Sequence, residues 1–525
     1  MLINTYSAAS VGIDAVIVTV EVHATPGYDF TLVGLPDTAV KEGHERIESA
    51  ILISGIRLPQ RQYTINMSPA DLKKEGAAFD LTLAIGQLAA TEIVQSRLLS
   101  QFLILGELSL DGRLRPVHGC LPIAIAAKNN GFRGVILPAD NAGEAAVVDG
   151  IEVYGFEHLT DVIAFLNGTT QAEPVHVEVG ELLSNCAFPD DIDFSEVRGQ
   201  QEVRRAIEIS AAGGHNLIMI GPPGAGKSMM AKRIPTILPP MTLSEALETT
   251  KIYSVSGKLR KSSANGQLAS LIARRPFRSP HHTITDVTLV GGGNNPQPGE
   301  VSLAHNGVLF LDELAEFKRS ALEVLRQPLE DGHITVARNK LSVDYPAHFM
   351  LVAAMNPCPC GHYGDLKHPC TCTPAQRHRY MSRISGPLLD RIDIQCSIDA
   401  VGYDDLRSKA DGEPSADIRS RVIRARAIQT ERFRGTTVHC NAQMTPAMVR
   451  RYCRLDSDAE QQLRAAMELY GLSARAYDRI LKVARTIADL DAAVHPDRPI
   501  TDTLTTAQLL QAIQFRQLDR DNWGE

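Results

Sequence analysis

Short apolar runs and amphipathic segments alternate along the first third of the chain. A β-branched run that begins at Ala15 predicts a strand, whereas the Ala/Leu-rich stretch 79–90 predicts a helix. Two more strands, 102–105 and 134–138, are expected on either side of a helix over 121–129. This alternation of strands and helices predicts a folded domain of mixed secondary structure.

A different pattern begins near residue 194, where continuous apolar runs are separated by helical segments. Such runs are typical of strands that are buried on both faces of a parallel sheet. The expected strands are 216–220, 308–311, 349–354 and 392–398. From about residue 403 the strand signals nearly vanish and the apolar periodicity becomes helical. The predicted fold class is therefore α/β, with a helical C-terminal part.

The chain is too long, at 525 residues, for one ordinary domain. The changes of pattern divide it into a first domain, a polar linker broken by prolines, a parallel-sheet domain, a helical region and a short tail. The expected boundaries, in that order, are 1–168, 169–192, 193–400, 401–515 and 516–525.

Composition narrows the functional classes. Apolar residues make up 44% of the chain and charged residues 22%, which is typical of a globular protein. The net charge of -8 taken alone argues against a general nucleic-acid binder, unless local cationic segments offset it. No window of 18 residues is apolar throughout, and the first residues lack a cationic leader followed by an apolar core, so a cytoplasmic location is expected.

One glycine-rich segment matches the phosphate-loop pattern in full and lies between a predicted strand and a predicted helix. Its backbone amides and the following helix N-terminus are suited to bind phosphate oxygens. Lys227 is expected to reach the β- and γ-phosphates of a nucleotide, and Ser228 is expected to bind Mg²⁺. The loop comprises Gly221, Pro222, Pro223, Gly224, Ala225, Gly226, Lys227 and Ser228.

Polar residues follow the later strands at positions that would complete a nucleotide site. Asp312 and Glu313 follow the strand 308–311, and the carboxyl end of a buried strand is where an α/β sheet binds its ligand. Asp312 is expected to hold Mg²⁺ directly or through water, and Glu313 to polarise the attacking water. Asn356 ends the next strand and could orient the same water, with a simple turn residue as the alternative.

Arginines are candidates for a further role, because phosphoryl transfer gains from a guanidinium group on the γ-phosphate, often from a neighbouring subunit. Arg391 lies in the segment 388–393, and Arg475 lies in the segment 473–479. On spacing alone, a surface or ion-pair role is the alternative for both. Arg326, on the helix after the acidic pair, is another candidate that could face a neighbouring subunit.

Four of the nine cysteines form two closely spaced pairs in the pattern C-x-C-x9-C-x-C. Four thiolates can surround a tetrahedral Zn²⁺, although C-x-C is tighter than the usual knuckle spacing. The segment between the pairs is too polar to form a core, so a metal would supply its order. Four unconnected reduced thiols are the alternative, and His362 and His368 are alternative ligands. The candidate ligands are Cys358, Cys360, Cys370 and Cys372.

Two segments carry cations that are candidates for binding phosphate. Residues 251–285 contain seven Lys or Arg and no Asp or Glu, which favours phosphate binding over a merely solvated basic face. Residues 331–344 predict a hairpin with a cationic tip, as a pore loop that grips phosphates would have. Contacts with the DNA backbone would be sequence-tolerant and salt-sensitive. The candidate DNA contacts are Arg274, Arg275, Arg278, His281, His282, Arg338 and Lys340.

Together these motifs resemble an AAA+ ATPase of the magnesium-chelatase-like branch, and most closely the ComM/YifB family. The resemblance implies a Lon-protease-like α+β N-terminal domain, a central AAA+ module built on a parallel sheet with a phosphate loop, and a helical C-terminal lid. It covers nearly the whole chain and rests on residues 33–41, 213–228, 278–282, 324–332, 356–360 and 385–391.

The resemblance also implies a function. The family's activity is DNA branch migration by an ATP-driven hexameric helicase or translocase, associated with natural transformation and homologous recombination. It implies ATP and Mg²⁺ as cofactors, sequence-independent contacts with single-stranded or branched DNA, no membrane association, and recombination proteins as further partners. In this frame Asn356 resembles sensor 1, Arg391 the trans-acting arginine finger, and Arg475 sensor 2.

The Lon-like domain lacks the residues of a protease. A Lon-type protease uses a Ser–Lys dyad, but the nucleophile position falls at Ala78 and the lysine position near Leu121 or Pro122. Covalent catalysis therefore lacks its nucleophile and its base. A catalytically inactive assembly or DNA-guiding module is expected, and an ATP-dependent protease is disfavoured. A chelatase-like AAA+ chaperone without DNA activity is the remaining alternative.

Overall fold

The computed structural model describes residues 1–184, 192–259, 269–293, 296–338, 341–365, 368–399, 412–495 and 501–516. Contacts among these residues divide the chain into two compact units. The first comprises Met1–Asn185 and Thr242–Ala273, and the second comprises Cys186–Met241 and Arg274–Glu525. Among the described helices, none is long and apolar enough to cross a membrane.

The first unit mixes antiparallel and parallel strands. Strand β2 pairs antiparallel with β1 and β4, β3 runs parallel to β4, and β5, β8 and β9 form a separate parallel sheet. This confirms the α+β pattern predicted for this part of the chain. Numbered in chain order, the elements are β1 (Leu2–Val11), β2 (Asp14–Thr25), β3 (Phe30–Val33), α1 (Thr38–Ile53), β4 (Gln62–Ser68), α2 (Asp80–Ala90), β5 (Phe102–Ile104), β6 (Glu107–Leu108), β7 (Leu114–Arg115), α3 (Cys120–Asn129), β8 (Gly134–Pro138), α4 (Ala139–Ala145), β9 (Glu152–Phe156), α5 (Leu159–Leu166), α6 (Val179–Ser184) and α9 (Leu243–Val255).

The core of this unit forms where β2 packs on α2. Every second residue of β2 from Val18 to Val22 is fully buried, as the period of a half-buried strand requires. Gly86 on α2 lets the helix approach closely, since a Cβ there would lie 2.7 Å from Val22 Cγ2. Each buried valine contributes roughly 1.5–3 kcal/mol relative to an exposed one.

The segment Thr242–Ala273 belongs to the first unit, whereas the boundaries expected from sequence placed it in the parallel-sheet domain. Ser254, near the end of α9, donates its hydroxyl proton to the buried carboxylate of Glu144. Lys251, on the same helix, forms an ion pair with Asp14 at 3.0 Å. The cationic stretch 251–285 is therefore divided between the two units, and Arg260 and Lys261 lie outside the described residues.

The second unit is built on five parallel strands in the order β11–β14–β17–β10–β18. All residues of β10, β14 and β17 are buried, as the continuous apolar runs predicted. This confirms the α/β class with its parallel sheet. The elements are α7 (Gln201–Gly213), β10 (Leu217–Ile220), α8 (Lys227–Ile237), β11 (Phe277–Arg278), α10 (Asp286–Val290), β12 (Gly291–Gly292), β13 (Gln297–Pro298), α11 (Glu300–Leu303), β14 (Val308–Leu311), α12 (Arg319–Glu323), α13 (Arg326–Asp331), β15 (His333–Arg338), β16 (Leu341–Pro346), β17 (Met350–Met355), α14 (Pro374–Met381), α15 (Gly386–Leu389), β18 (Ile394–Ser397), α16 (Ser415–Arg432), α17 (Pro446–Tyr452), β19 (Arg454–Leu455), α18 (Ser457–Tyr470), α19 (Ala474–Val494), β20 (Thr503–Leu504) and α20 (Thr506–Gln514).

The C-terminal helices pack with the sheet in the same compact unit, through a buried polar network. His215 lies at the start of β10, with Nε2 2.8 Å from Thr486 Oγ1 on α19 and Nδ1 3.1 Å from Asp393 Oδ2. Arg479, also on α19, pairs with Asp393. Burial alone would raise the pKa of Asp393, but Arg479 and His215 lower it below its ordinary range. The charged network thus fixes α19 to the amino ends of β10 and β18.

Candidate nucleotide site and cysteine cluster

The phosphate loop connects β10 to α8, and its turns require glycine at two positions. Gly224 and Gly226 have φ angles of 79° and 87°, in the left-handed region that glycine adopts at low cost. Helix α8 begins at Lys227, so the loop ends on the unpaired amide groups of a helix N-terminus. Such a terminus favours a bound anion.

Lys227 is buried at the centre of this loop. Its Nζ donates to the carbonyl oxygens of Gly221 at 2.6 Å and Pro222 at 2.9 Å. It also donates to Asn356 Oδ1 at 3.2 Å. Burial lowers the pKa of Lys227, and the nearby charge of Asp312 opposes that shift. The ammonium group therefore donates to carbonyl oxygens that phosphate oxygens can replace. It lies where the motif places the phosphates of a nucleotide.

The acidic pair that follows β14 reaches the same place. Ser228 Oγ donates to Asp312 Oδ2 at 2.5 Å, and the amide of Glu313 donates to Asp312 Oδ1 at 3.0 Å. A hydroxyl and a carboxylate side by side form the oxygen donor set that Mg²⁺ prefers, so these two residues fit that ion. Glu313 has a φ angle of 52°, a strained value for a residue with a side chain, and such strain is frequent at functional sites.

His282 contacts Glu313, a pairing that the sequence patterns did not predict. Its Nδ1 lies 3.2 Å from Glu313 Oε2. His282 follows β11, the strand next to β14 in the sheet, by four residues, so it reaches the same sheet edge as the acidic pair. The two-residue strand β11 is too short to be predicted from sequence. The position of His282 beside Glu313 was therefore not predictable.

Arg391 and Arg475 each pair with an acidic residue outside the phosphate loop. The Arg391 guanidinium pairs with Glu330 and donates to the carbonyl of Pro387 at 2.7 Å. Arg475 Nη1 lies 3.9 Å from the carboxylate of Asp390, the residue before Arg391. Across the described part of the chain, no hydrogen bond or ion pair joins either arginine to the phosphate loop or to the acidic pair.

Arg326 and Arg391 line one open cleft of about 570 Å³, together with their acidic partners. Arg326 pairs with Glu323 at 2.9 Å, as Arg391 pairs with Glu330. The Nε atoms of both arginines are buried and lack a hydrogen-bond partner within the described residues. The cleft is therefore lined by two guanidinium groups, each paired with a glutamate.

Two of the candidate DNA contacts are held by partners within the fold. Arg275 donates to the carbonyls of Pro239 at 2.7 Å and Asn306 at 2.8 Å. Arg278 forms a two-pronged ion pair with Glu300, at 2.6 and 2.8 Å. These contacts give both guanidinium groups partners within the fold, and DNA contact by this pair stays a prediction.

The other candidate DNA contacts are Arg274, His281 and the two hairpin residues Arg338 and Lys340. Arg274 is exposed, and His281 Nδ1 lies 3.0 Å from Thr283 Oγ1. The predicted hairpin forms from β15 and β16, with Arg338 opposite Leu341 in the register. Lys340 lies outside the described residues.

The four cysteine thiols of the predicted metal site converge, and their Sγ atoms all lie within 4.8 Å of one another. Cys358 Sγ is 3.3 Å from Cys360 Sγ and 3.6 Å from Cys370 Sγ. Four sulfurs around one Zn²⁺, each bonded at about 2.3 Å, are about 3.8 Å apart, whereas disulfide sulfurs are about 2 Å apart. The cluster therefore has the dimensions of a tetrahedral metal site.

Hydrogen bonds to one of the four cysteines, Cys360, favour its thiolate. The backbone amides of His362 and Thr371 donate to Cys360 Sγ and lower its pKa to about 5. Burial raises the pKa of Cys358 to about 12, so this thiol needs a cation nearby to ionise. His362 Nδ1 lies 3.1 Å from Asp365 Oδ2, which engages one ring nitrogen of that alternative ligand.

Three family descriptions match this chain. The family described as magnesium chelatase, subunit ChlI, matches residues 193–406, and the one described as subunit ChlI of Mg-chelatase matches residues 20–141. The family described as magnesium chelatase, subunit ChlI C-terminal, matches residues 412–516. These matches reach into both compact units.

Three curated relatives are similar over long stretches. "Competence protein ComM" of Haemophilus influenzae is 44% identical over 518 residues, 98% of this chain and 97% of that protein. "Uncharacterized protein YifB" of Escherichia coli is 42% identical over 519 residues, again 98% and 97% of the two chains. The "Magnesium-chelatase 38 kDa subunit" of Rhodobacter capsulatus is 23% identical over 350 residues, 61% of this chain and 93% of that protein.

Proposed function

Because the chain belongs to the ComM/YifB family of magnesium-chelatase-like AAA+ proteins, we propose that it is an ATP-driven DNA motor. In this proposal a cytoplasmic hexamer hydrolyses ATP and promotes branch migration during natural transformation and homologous recombination. The word competence in the name of the Haemophilus relative supports that setting. The N-terminal domain, with Ala78 in the nucleophile position, serves as an assembly or DNA-guiding module.

The observation that carries the ATPase proposal is the convergence of Lys227, Ser228, Asp312 and Asn356 at the carboxyl edge of the parallel sheet. Lys227 binds the β- and γ-phosphates, while Ser228 and Asp312 hold Mg²⁺. An Mg²⁺ ion held by these two residues would supply positive charge that offsets the charge of the phosphates. Glu313 accepts a proton from the attacking water, and Asn356 orients that water.

Arg391 is proposed to act on the nucleotide of a neighbouring subunit. It has no contact with its own phosphate loop among the described residues, and it lines an open cleft with Arg326. A ring of identical subunits can bring such a cleft to the next phosphate loop. Arg475, beside Asp390, is proposed to reach the nucleotide as sensor 2.

DNA is proposed to contact the hairpin β15–β16 and the residues that follow β11. Arg338 and Lys340 would bind backbone phosphates, with Arg274 and His281 as further contacts. His282 has a different proposed role, because its contact with Glu313 would link this surface to the water-activating carboxylate.

The double variant Arg338→Ser/Lys340→Ser is expected to weaken binding to single-stranded DNA and leave binding of ATP unchanged. Each cation that contacts a phosphate of single-stranded DNA steepens the dependence of affinity on salt, so the magnitude of the slope of log affinity against log salt should fall by about 1.4 per engaged subunit. Fluorescence anisotropy across a salt titration measures both quantities.

A matched control is Arg434→Ser/Arg464→Ser, which removes two exposed cations from the C-terminal helical region; their side chains are 78% and 73% exposed. This control should bind DNA as the unmodified protein does. If the hairpin variant keeps the affinity and the salt slope of the control, the hairpin is not the DNA contact.

A chelatase-like AAA+ chaperone is the alternative function, favoured by the similarity to magnesium-chelatase subunits. The two functions differ in whether DNA stimulates the ATPase. A DNA motor is expected to hydrolyse ATP several-fold faster with branched or single-stranded DNA present. A rate that no DNA changes would favour the chaperone.

We also propose that the four clustered cysteines bind one Zn²⁺, since their sulfur atoms have the spacing of a tetrahedral site. Elemental analysis of the purified protein should find about one zinc per chain. The variant Cys370→Ser/Cys372→Ser should lose it, whereas Cys440→Ala, which removes a buried thiol elsewhere, should keep it. Fewer than about one ion per two chains in the unmodified protein would contradict the zinc site.

A further inference from the structure

The cysteine loop, residues 357–372, packs directly on the phosphate loop. Gly361 has a φ angle of 85°, and a Cβ built there would lie 2.7 Å from Pro223 Cδ and 3.3 Å from Pro223 Cγ. The backbone of Gly361 therefore lies against the Pro223 ring at a distance that excludes any side chain. The same ideal Cβ would be 4.0 Å from Asn356 Cγ, so this point touches two residues of the nucleotide site.

A tight turn sets the position of Gly361. Its amide donates to the carbonyl of Cys358 at 3.0 Å, which closes the turn between the first two cysteines. The amide of Cys360, inside the turn, donates to Cys372 Sγ at 3.4 Å. The thiol cluster thus holds both the turn and the far end of the cysteine loop.

Few residues of this loop are buried. Among its described residues, which omit 366 and 367, only Cys358 and Gly361 are buried. Apolar burial therefore contributes little to its structure, and a metal bound by four thiolates would supply most of it. Beyond the loop, helix α14 brings the buried Tyr380 back to the backbone amide of Asn356.

We propose that Zn²⁺ bound by the four cysteines positions the phosphate loop, because it fixes the turn that holds Gly361 against Pro223. The same turn follows Asn356, which accepts a hydrogen bond from Lys227 at 3.2 Å. Without the metal the turn is no longer fixed. Gly361 then no longer holds Pro223 and Asn356, the two residues of the nucleotide site that it adjoins. Gly361 is in this sense a positioning residue. This inference rests on the proposed ATP site and on the proposed zinc site.

Two glycines of the same loop give a matched test. Gly361→Ala places a methyl group against Pro223, whereas Gly364→Ala has an equally positive φ angle, 83°, and nothing within 4 Å of its added Cβ. Both variants carry the same backbone strain and leave the thiols intact, so both should retain the zinc content of the unmodified protein. Gly361→Ala should bind a fluorescent N-methylanthraniloyl ATP at least about fivefold more weakly, and Gly364→Ala within about twofold of the unmodified protein.

Chelation extends the test to the metal. Removing zinc from the unmodified protein should weaken binding of the ATP analogue, and adding zinc back should restore it. In Gly361→Ala the contact is already displaced, so chelation should have little further effect. If Gly361→Ala does not fold, Pro223→Ala removes the other half of the contact without strain and should weaken binding in the same direction.

The possible failures can be told apart. Equal affinities for Gly361→Ala and Gly364→Ala, or an affinity that chelation leaves unchanged, would overturn the positioning role. Absence of zinc from the unmodified protein would instead refute the metal site. Retention of full binding by Lys227→Ala would refute the ATP site itself.

Discussion

Replacing Glu313 with glutamine is expected to abolish ATP turnover and leave ATP binding in place. The amide keeps the shape of the side chain but cannot accept a proton from water, and general-base catalysis is worth on the order of 10² to 10⁴ in rate. Ser228, Asp312 and Lys227, which are proposed to bind the phosphates and the metal, are untouched. The rate constant for phosphate release should therefore fall at least about 100-fold, with an unchanged dissociation constant for the ATP analogue.

Glu316→Gln is the matched control. Glu316 lies three residues further along the same segment, where it pairs with Arg383 at 2.8 Å instead of reaching the phosphate loop. Its replacement should leave turnover within about twofold of the unmodified protein. Hydrolysis by Glu313→Gln at a rate close to that of the control would contradict the water-activating role.

Replacing Arg391 with alanine is expected to lower ATP turnover by about 10³, the usual value of an arginine finger. Arg391 pairs with Glu330 and contacts none of the described phosphate-site residues, so ATP binding to the same chain should not change. Rapid-quench measurement of hydrolysis, together with titration of the ATP analogue, separates the two effects. Arg383→Ala, which removes another arginine of this unit, should hydrolyse ATP normally.

Mixing two inactive variants shows whether Arg391 acts across the subunit interface. Arg391→Ala retains Glu313, and Glu313→Gln retains Arg391. In a randomly mixed ring about one quarter of the interfaces join an intact acidic pair to an intact arginine, so a corresponding share of the activity should return. If mixing restores nothing while rings still assemble, Arg391 acts within its own chain or has no role in hydrolysis.

Features that depend on local pattern were predictable from sequence. Continuous apolar runs marked β14 and β17 because both faces of a parallel strand are buried. The phosphate loop was recognisable because its glycines and Lys227 occupy consecutive positions between a strand and a helix. Asp312 could be placed at the site because parallel strands end at one edge of the sheet.

Features that depend on distant partners were not predictable in the same way. A count of cations in 251–285 contains no information about Glu300, which engages Arg278, or about the carbonyls that engage Arg275. The docking of α9 within the first unit depends on Glu144, about a hundred positions away in the chain. The contact between Gly361 and Pro223 likewise joins two loops that only the folded sheet brings together.

The most direct test of the proposed motor is ATP-dependent movement of a synthetic DNA junction. A labelled three-strand or four-strand junction is incubated with the purified protein, and the products are separated by electrophoresis. We expect the unmodified protein with ATP and Mg²⁺ to convert the junction to migrated products, and Glu313→Gln to bind the junction without converting it. A protein that hydrolyses ATP and leaves the junction unmoved, with no change of rate when DNA is added, would contradict the account.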